Sequence, residues 1–266
     1  MTTTPTSQNA DRSLAAIILA AGKGTRMQSD LPKVAHPVAD HPMVWWVVKA
    51  AREAGASPIV VVVGHGADVV RGIFEGDDED LIYVTQHEQL GTGHATDCAR
   101  DALADFKGDV LVLAGDGPLI RTSTIRTMHD RQRECDAIGA LATSVIDDPT
   151  GYGRIVRDDD RRFVAIVEHK NCTDAQREIR EVYPSYACFD ATSLFDALST
   201  LAPNDLTGEY YVTDVPMMLK DQGHRIEVVD AVPPEDVLSI NTLEQLAEVD
   251  SILRSRLEGQ MAGGHA

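Results

Sequence analysis

At 266 residues, with 43% hydrophobic and 25% charged side chains, the chain can bury a substantial core as one large α/β domain or one domain with a small appendage. Its formal net charge of −18 excludes a nucleic-acid or anionic-membrane surface, because both require a basic footprint. No signal-peptide core and no apolar run of membrane-spanning length is present, and Cys98, Cys135, Cys172 and Cys188 form no Cys-x-x-Cys pair, so the expectation is a cytoplasmic chain with reduced thiols and no zinc.

Residues 1–13 are rich in Thr, Ser and Pro and are expected to be a disordered tail. The apolar run Leu14 to Ala21 has the length of a buried strand and ends at Gly22-Lys23-Gly24, followed by Thr25-Arg26-Met27 and Leu31-Pro32-Lys33. Glycines let a backbone approach phosphate oxygens, Arg26 adds a planar fork of donors and Lys33 a point charge. The dinucleotide fingerprint wants a third glycine where Met27 stands, which argues against a nicotinamide enzyme. The Walker pattern does not fit either, which leaves a nucleotide loop of another kind or a turn that needs glycine for geometry alone. Met43 to Ala54 has helical spacing and stops at Gly55, with Trp45 and Trp46 as packing residues, and Pro58 to Val63 is a fully apolar strand. Alternation of strand and helix predicts a mostly parallel sheet with helices on both faces.

Leu81 to Val84 is a further strand that runs into Gln86 and a second Gly-x-Gly turn at Gly91-Thr92-Gly93, before a helix from Ala95 to Phe106. A uracil edge needs a donor and an acceptor side by side, which the amide of Gln86 can supply, and Gly91 can close over a ring because it lacks a side chain. His94 is a packing or helix-start residue. Asp109 to Leu113 delivers Ala114-Gly115-Asp116-Gly117, where Asp116 is either a Mg2+ ligand facing phosphates or a turn cap. Beyond it come a helix over Thr122 to Glu134, a strand over Ala137 to Val145, a turn-rich link through Gly151 and Gly153, and a strand over Phe163 to Glu168. Asp158 to Asp160 is a solvated hairpin tip. Residues 171–180 are expected to be helical, Val182 to Phe189 a strand, Ser193 to Leu201 a helix, and Arg225 to Val229 an edge strand. A helix starts near Gly208 to Asp214, and Leu243 to Leu257 is a long terminal helix that Asn241 precedes as an N-cap-region residue.

Taken together, Gly22-Lys-Gly-Thr-Arg-Met27, Leu31-Pro-Lys33, Gln89-Leu-Gly-Thr-Gly-His-Ala95, Asp148-Pro-Thr-Gly-Tyr-Gly-Arg-Ile155, Ile166-Val-Glu-His-Lys170 and Gly208-Glu-Tyr-Tyr211 resemble the pyrophosphorylase domain of bacterial N-acetylglucosamine-1-phosphate uridyltransferases. The resemblance covers about residues 14–250, with 251–266 as the helix end and tail. It implies an α/β, Rossmann-like mixed and mostly parallel sheet of the nucleotide-diphospho-sugar transferase type, with a small sugar-facing lobe. It implies UTP and a sugar-1-phosphate as partners, Leu19, Ala20, Ala21, Gly22, Gln86, Gly91 and Thr92 on the nucleotide, and Arg26 and Lys33 on the phosphates. Asp116 and Asn241 fall to Mg2+, and Ala114, Gly115, Gly153, Glu168 and Tyr183 to the sugar. Ala114 stands where the family has Tyr, and Tyr183-Pro184-Ser185 where it has Asn-Thr-Gly. A different hexose-1-phosphate, or a UDP-sugar-binding module without turnover, are the alternatives those changes leave open. As the sequence stops at Ala266, the family's acetyltransferase β-helix and its trimer are not expected, and a monomer or weak oligomer is.

Overall fold

The computed structural model describes residues 12–27 and 29–263, so the expected N-terminal tail lies outside the described residues except for Arg12 and Ser13. Ser13 already opens the first strand, β1 (Ser13–Ala20), in which Ala15 to Ile18 are wholly buried. Such a run, apolar on both faces, is what a central parallel strand covered by helices requires. There follow β2 (Pro37–Val38), β3 (His41–Pro42), α1 (Met43–Ala54), β4 (Ile59–Val63), α2 (Ala67–Gly72), β5 (Leu81–Thr85) and α3 (Thr92–Asp97). The chain continues through β6 (Gly108–Ala114), α4 (Thr122–Glu134), β7 (Gly139–Val145), β8 (Gly153–Arg157), β9 (Phe163–Val167), α5 (Asp174–Arg177) and β10 (Glu181–Asp190). It closes with α6 (Ala191–Ser199), α7 (Val215–Asp221), β11 (Ile226–Asp230) and α8 (Leu243–Gly263).

The main sheet runs β11-β7-β10-β6-β1-β4-β5. Pairings β6-β1-β4-β5 and β11-β7 are parallel, and β10 lies antiparallel between β6 and β7. One apolar layer packs α1 and α4 on the sheet through Val44, Val47, Val48, Ile125 and Met128, and the other packs α6 and α7 through Leu194, Leu198, Val215 and Leu219. A smaller cluster joins Val249 and Leu253 of α8 to Met27, Met43, Trp46 and Leu119. Met27, the residue that breaks the dinucleotide fingerprint, is thereby a buried anchor, 1% exposed, for the glycine loop. Trp46 is the core-facing tryptophan and donates Nε1–H to the Val38 carbonyl at 2.8 Å, while Trp45 stacks on His41. The four cysteines are free thiols. No helix of the described residues is long and apolar enough to cross a membrane.

Several elements differ from the sequence-based expectation. The helix expected over 95–106 starts earlier and breaks into α3 and a short 3-10 turn (Asp101–Leu103), with Arg100 held by Asp97 and the Phe195 carbonyl. The link through Gly153 is strand β8, which pairs with β9 and with β10, and the acidic run 158–160 is its hairpin tip. Only one helical turn, α5, forms in 171–180, closed by a Thr173/Gln176 capping box, because it has no buried face to extend on. The β2–β3 hairpin was invisible in the pattern, since its turn uses Ala39 and Asp40 at positive φ where glycine or asparagine usually stands.

The β4–α2 turn supports the basic loop. Gly66 has φ +66°, and a Cβ there would land inside the ring of Pro32, next to Lys33. Gly55 has φ +96° but open space around it. Urea denaturation should therefore separate the two: Gly55→Ala loses about 1 kcal/mol from the left-handed backbone alone, and Gly66→Ala loses about 2–3 kcal/mol. Equal losses would mean that the Pro32 contact is relaxed at no cost.

Candidate active site

The carboxyl ends of β1, β5 and β6 open on one cleft of about 650 Å³, where a parallel sheet is expected to receive its ligand. Of the residues singled out in the sequence, Leu19, Ala21, Gly22, Arg26, Lys33, Gln86, Gly91, Thr92, Ala114, Asp116, Gly153, Glu168, Tyr183 and Asn241 all line it. Ala20 and Gly115 do not. Strand alternation turns Ala20 into the opposite layer, fully buried, and Gly115 sits one step behind the wall with its N–H donated to the Leu19 carbonyl at 3.0 Å.

At one end the loop after β1 presents Gly22, around which a Cβ would find open space, and two cations. Lys33 Nζ forms an ion pair with Asp116 Oδ2 and donates to Asn241 Oδ1 at 2.8 Å, and Arg26 Nη2 donates to the same Oδ1 at 2.7 Å. Asn241 is not the helix cap. Thr242 caps α8 through the reciprocal bonds Gln245 N–H to Thr242 Oγ1 (3.3 Å) and Thr242 N–H to Gln245 Oε1 (3.2 Å), which leaves the Asn241 side chain free to face the cations. The segment is tied down where Ile240 N–H meets the Asp116 carbonyl at 3.2 Å. Asp116 Oδ2 and Asn241 Oδ1 thus converge on one ammonium, which stands in for a small cation, and both are hard oxygen donors of the kind Mg2+ takes. No cluster of three or more His, Cys, Asp or Glu able to hold a metal exists among the described residues, so an ion held there would draw its other ligands from phosphate and water.

Beside the second glycine turn, Gln86 lines the cleft and is 5% exposed. Its Nε2 donates to the Gly91 carbonyl at 3.1 Å and lies 3.0 Å from His94 Nδ1. One amide hydrogen is thus spent inside the protein, on the Gly91 carbonyl. Gly91 has φ +101°, and a Cβ there would come within 2.5 Å of the Tyr210 carbonyl. Bonds from Gly93 N–H to the Tyr210 carbonyl (2.7 Å), Tyr210 N–H to the Leu90 carbonyl (2.8 Å) and Val212 N–H to Thr92 Oγ1 (3.1 Å) lace the 207–213 segment onto this turn. Gln89 Nε2 donates to the Ala21 carbonyl at 2.5 Å and joins the two glycine turns.

A further wall of the cleft is built by Gly153 of β8, Glu168 just after β9 and the first half of β10. Glu168 accepts from Thr213 Oγ1 at 3.2 Å, and burial raises its pKa above the ordinary glutamate value in spite of that bond. A Cβ on Gly153 would lie 2.9 Å from Ile166 Cγ2, so the β8 backbone forms the wall itself. Burial pushes the Tyr183 phenol well up, so it stays protonated. Sequence reasoning overlooked Thr213, Gln245 and Tyr211, which line the cleft. The spacing Thr242-x-x-Gln245 was a legible capping box. Tyr211 belongs to the Gly208-to-Tyr211 motif but was given no role there, and the partners of Thr213 and Tyr211, Glu168 and Lys170, lie more than 40 residues away.

Residues 16–205 match the MobA-like NTP transferase domain. Bifunctional protein GlmU of Geobacter metallireducens is 47% identical over 248 residues, which are 93% of this chain and 52% of that protein. Bifunctional protein GlmU of Brevibacillus brevis is 42% identical over 250 residues, 94% of this chain and 54% of that protein. The chain spans about half the length of the curated relatives it matches. A crystal structure of UDP-glucose pyrophosphorylase complexed with UDP-glucose shares the fold, with a TM-score of 0.73 at 17% identity over 92% of this chain and 100% of that one. With two glycine turns and paired cations at the carboxyl edge of a mostly parallel sheet, the chain belongs to the MobA-like NTP transferase family.

Proposed function

We propose that the chain transfers the uridylyl group of UTP to a sugar-1-phosphate, with N-acetylglucosamine-1-phosphate as the acceptor, releasing pyrophosphate and forming a UDP-sugar. One observation carries the reading: Arg26, Lys33, Asp116 and Asn241 meet in the same cleft that the glycine turn at Gly91 and the buried carboxylate of Glu168 line. The likeness to bifunctional GlmU proteins and to a fold that binds UDP-glucose supports it.

A sugar-phosphate oxygen attacks the α-phosphorus in line and pyrophosphate leaves, so no protein nucleophile is required. Arg26 and Lys33 balance the charge on the phosphate oxygens, Lys33 at the α-phosphate, and the backbone at Gly22 lets the chain approach them. Asp116 and Asn241 would hold Mg2+, which supplies further neutralisation of phosphate charge. Glu168 and the bare backbone at Gly153 orient the sugar. Ala114 and the stretch Tyr183-Pro184-Ser185 face that same end and favour a second reading, transfer to a different hexose-1-phosphate. Pyrophosphate release from UTP and Mg2+ with glucose-, galactose-, N-acetylglucosamine- and N-acetylgalactosamine-1-phosphate separates the two. Release with none of the four, together with tight UDP-sugar binding, would replace both by a binding module.

Partly buried ion pairs such as Lys33–Asp116 contribute about 1 kcal/mol or less to stability. Lys33→Ala and Asp116→Ala should therefore keep the melting temperature within a few degrees and lower kcat at least about 100-fold. A variant with near-normal kcat would remove that residue from the phosphate machinery.

Glu168 makes the sugar end sensitive to acid. With its pKa raised by burial, its contribution to stability is present at low pH and is lost as pH rises through that raised value. Sugar binding runs the other way, because only the ionised carboxylate accepts from two hydroxyls. As pH falls through a value above the ordinary glutamate pKa, KM for the sugar phosphate should rise while KM for UTP stays level. Glu168→Gln should lack this limb, and since the sugar phosphate's own titration is common to both proteins, the difference between the two profiles isolates the carboxyl group.

A further inference from the structure

We infer that His94 is a positioning residue that locks the Gln86 amide with its oxygen toward the cleft and so makes the site accept uracil and reject cytosine; the inference rests on the uridylyl transfer proposed above. The Gly91 carbonyl can only accept a hydrogen bond, so the amide end 3.1 Å from it must be the NH2 group. The second hydrogen of that NH2 then points at His94 Nδ1, 3.0 Å away, which fixes His94 as the tautomer protonated on Nε2. Both donors of the amide are consumed. No donor of the described residues reaches Oε1, and Oε1 is not among the sealed-in unpaired atoms, so the one function Gln86 offers the cleft it lines is an acceptor.

Beside it, the Gly91 N–H has no partner among the described residues. An acceptor next to a donor matches the uracil edge, where N3–H adjoins a carbonyl oxygen. Cytosine in the same pose would set its N3 lone pair against Oε1 and its amino group against the Gly91 N–H. An amide turned round would suit cytosine, but it would face Oε1 toward the Gly91 carbonyl oxygen and toward the Nδ1 lone pair. His94 itself does not line the cleft, so it acts through Gln86.

The test compares kcat/KM for UTP and CTP in the full chain and two variants, with thermal melting to confirm folding. His94→Leu, which fills the space without an acceptor, should lower the UTP:CTP ratio about tenfold or more, through KM and not kcat. His94→Asn, whose Oδ1 restores an acceptor at the place of Nδ1, should return most of the ratio. An unchanged ratio in His94→Leu, or His94→Asn behaving as His94→Leu does, overturns the inference. Nitrogen-15 shifts of His94 in the unsubstituted protein supply a second readout that needs no variant: a bare Nδ1 supports the lock, and a proton on Nδ1 overturns it. If the unsubstituted chain turns over no UTP, the transferase reading fails on its own, and the UDP:CDP affinity ratio measured by calorimetry in the same three proteins still decides the role of His94.

Discussion

The meeting of Lys33 with Asp116 and Asn241 is the constraint on which the cleft depends. In sequence those partners lie 83 and 208 positions from Lys33, and nothing local brings them together. Sheet register does so. β1 and β6 run parallel, with Leu19 opposite Ala114, so the loop leaving β1 and the turn leaving β6 emerge on the same edge two residues later. The start of α8 then reaches this edge because Ile240 is bonded to Asp116 and because Val249 and Leu253 bury against Met27 and Met43. Sliding β6 by one residue would turn Asp116 to the other face and leave both cations without an anion. In a chain of net charge −18, this edge concentrates positive charge where a polyanion can reach it, and a single carboxylate and one amide oxygen restrain it.

Close backbone approach is the second device of the site. Gly91 and Gly93 let the 207–213 segment lie directly on the α3 turn, since a Cβ at either would strike the Tyr210 backbone or Leu201. That contact brings Thr213 to Glu168 and Tyr211 to Lys170, so the Gly91 turn and the wall that carries Glu168 are built on one strap. Gln89, bonded to the Ala21 carbonyl, extends the same network to the phosphate loop. The strap is thus held to the α3 turn by backbone bonds at Gly93 and Tyr210 and joined to Glu168 and Lys170 by side-chain bonds, as the Gln89 side chain joins the turn to the loop after β1.

What the sequence made legible follows from which signals are local. β1 and β4 announced themselves as apolar runs, α1 by its period and its Gly55 stop, and the loop at Gly22 by residues that are contiguous with the strand that carries it. Strand β8 did not, because Gly151 and Gly153 look like turn punctuation and Arg154 and Arg157 mask its apolar positions; only the pairing with β9 and β10 makes it a strand. Ala20 and Gly115 were drawn in by contiguity within a motif; strand alternation turns the Ala20 side chain into the opposite layer, and Gly115 lies behind the cleft wall, bonded to the Leu19 carbonyl. Gln86 was legible as a cleft amide, but its free end depends on a carbonyl and an imidazole five and eight residues on, whose directions only the folded turn sets.

The two halves of the sheet differ in how freely their cleft residues can change. Around β1, β4 and β6 the strands are buried on both sides and tolerate little. At the wall that carries Tyr183, β10 leaves its register with β7 between Val182 and Tyr186 and pairs with β8 instead. Within that bulge Pro184 has no N–H to give the ladder, and Ser185 sits at φ +68°, a left-handed backbone that costs a residue with a Cβ about 1–2 kcal/mol. Strain accepted at a cleft wall and nowhere along the neighbouring parallel strands marks Tyr183 to Ser185 as the part of the sheet that is held in shape by its surroundings. Because the cation cluster hangs on β1, β6 and α8, none of which pairs through the bulge, the cleft wall at Tyr183 to Ser185 can be remodelled with the cluster of Arg26, Lys33, Asp116 and Asn241 left in place.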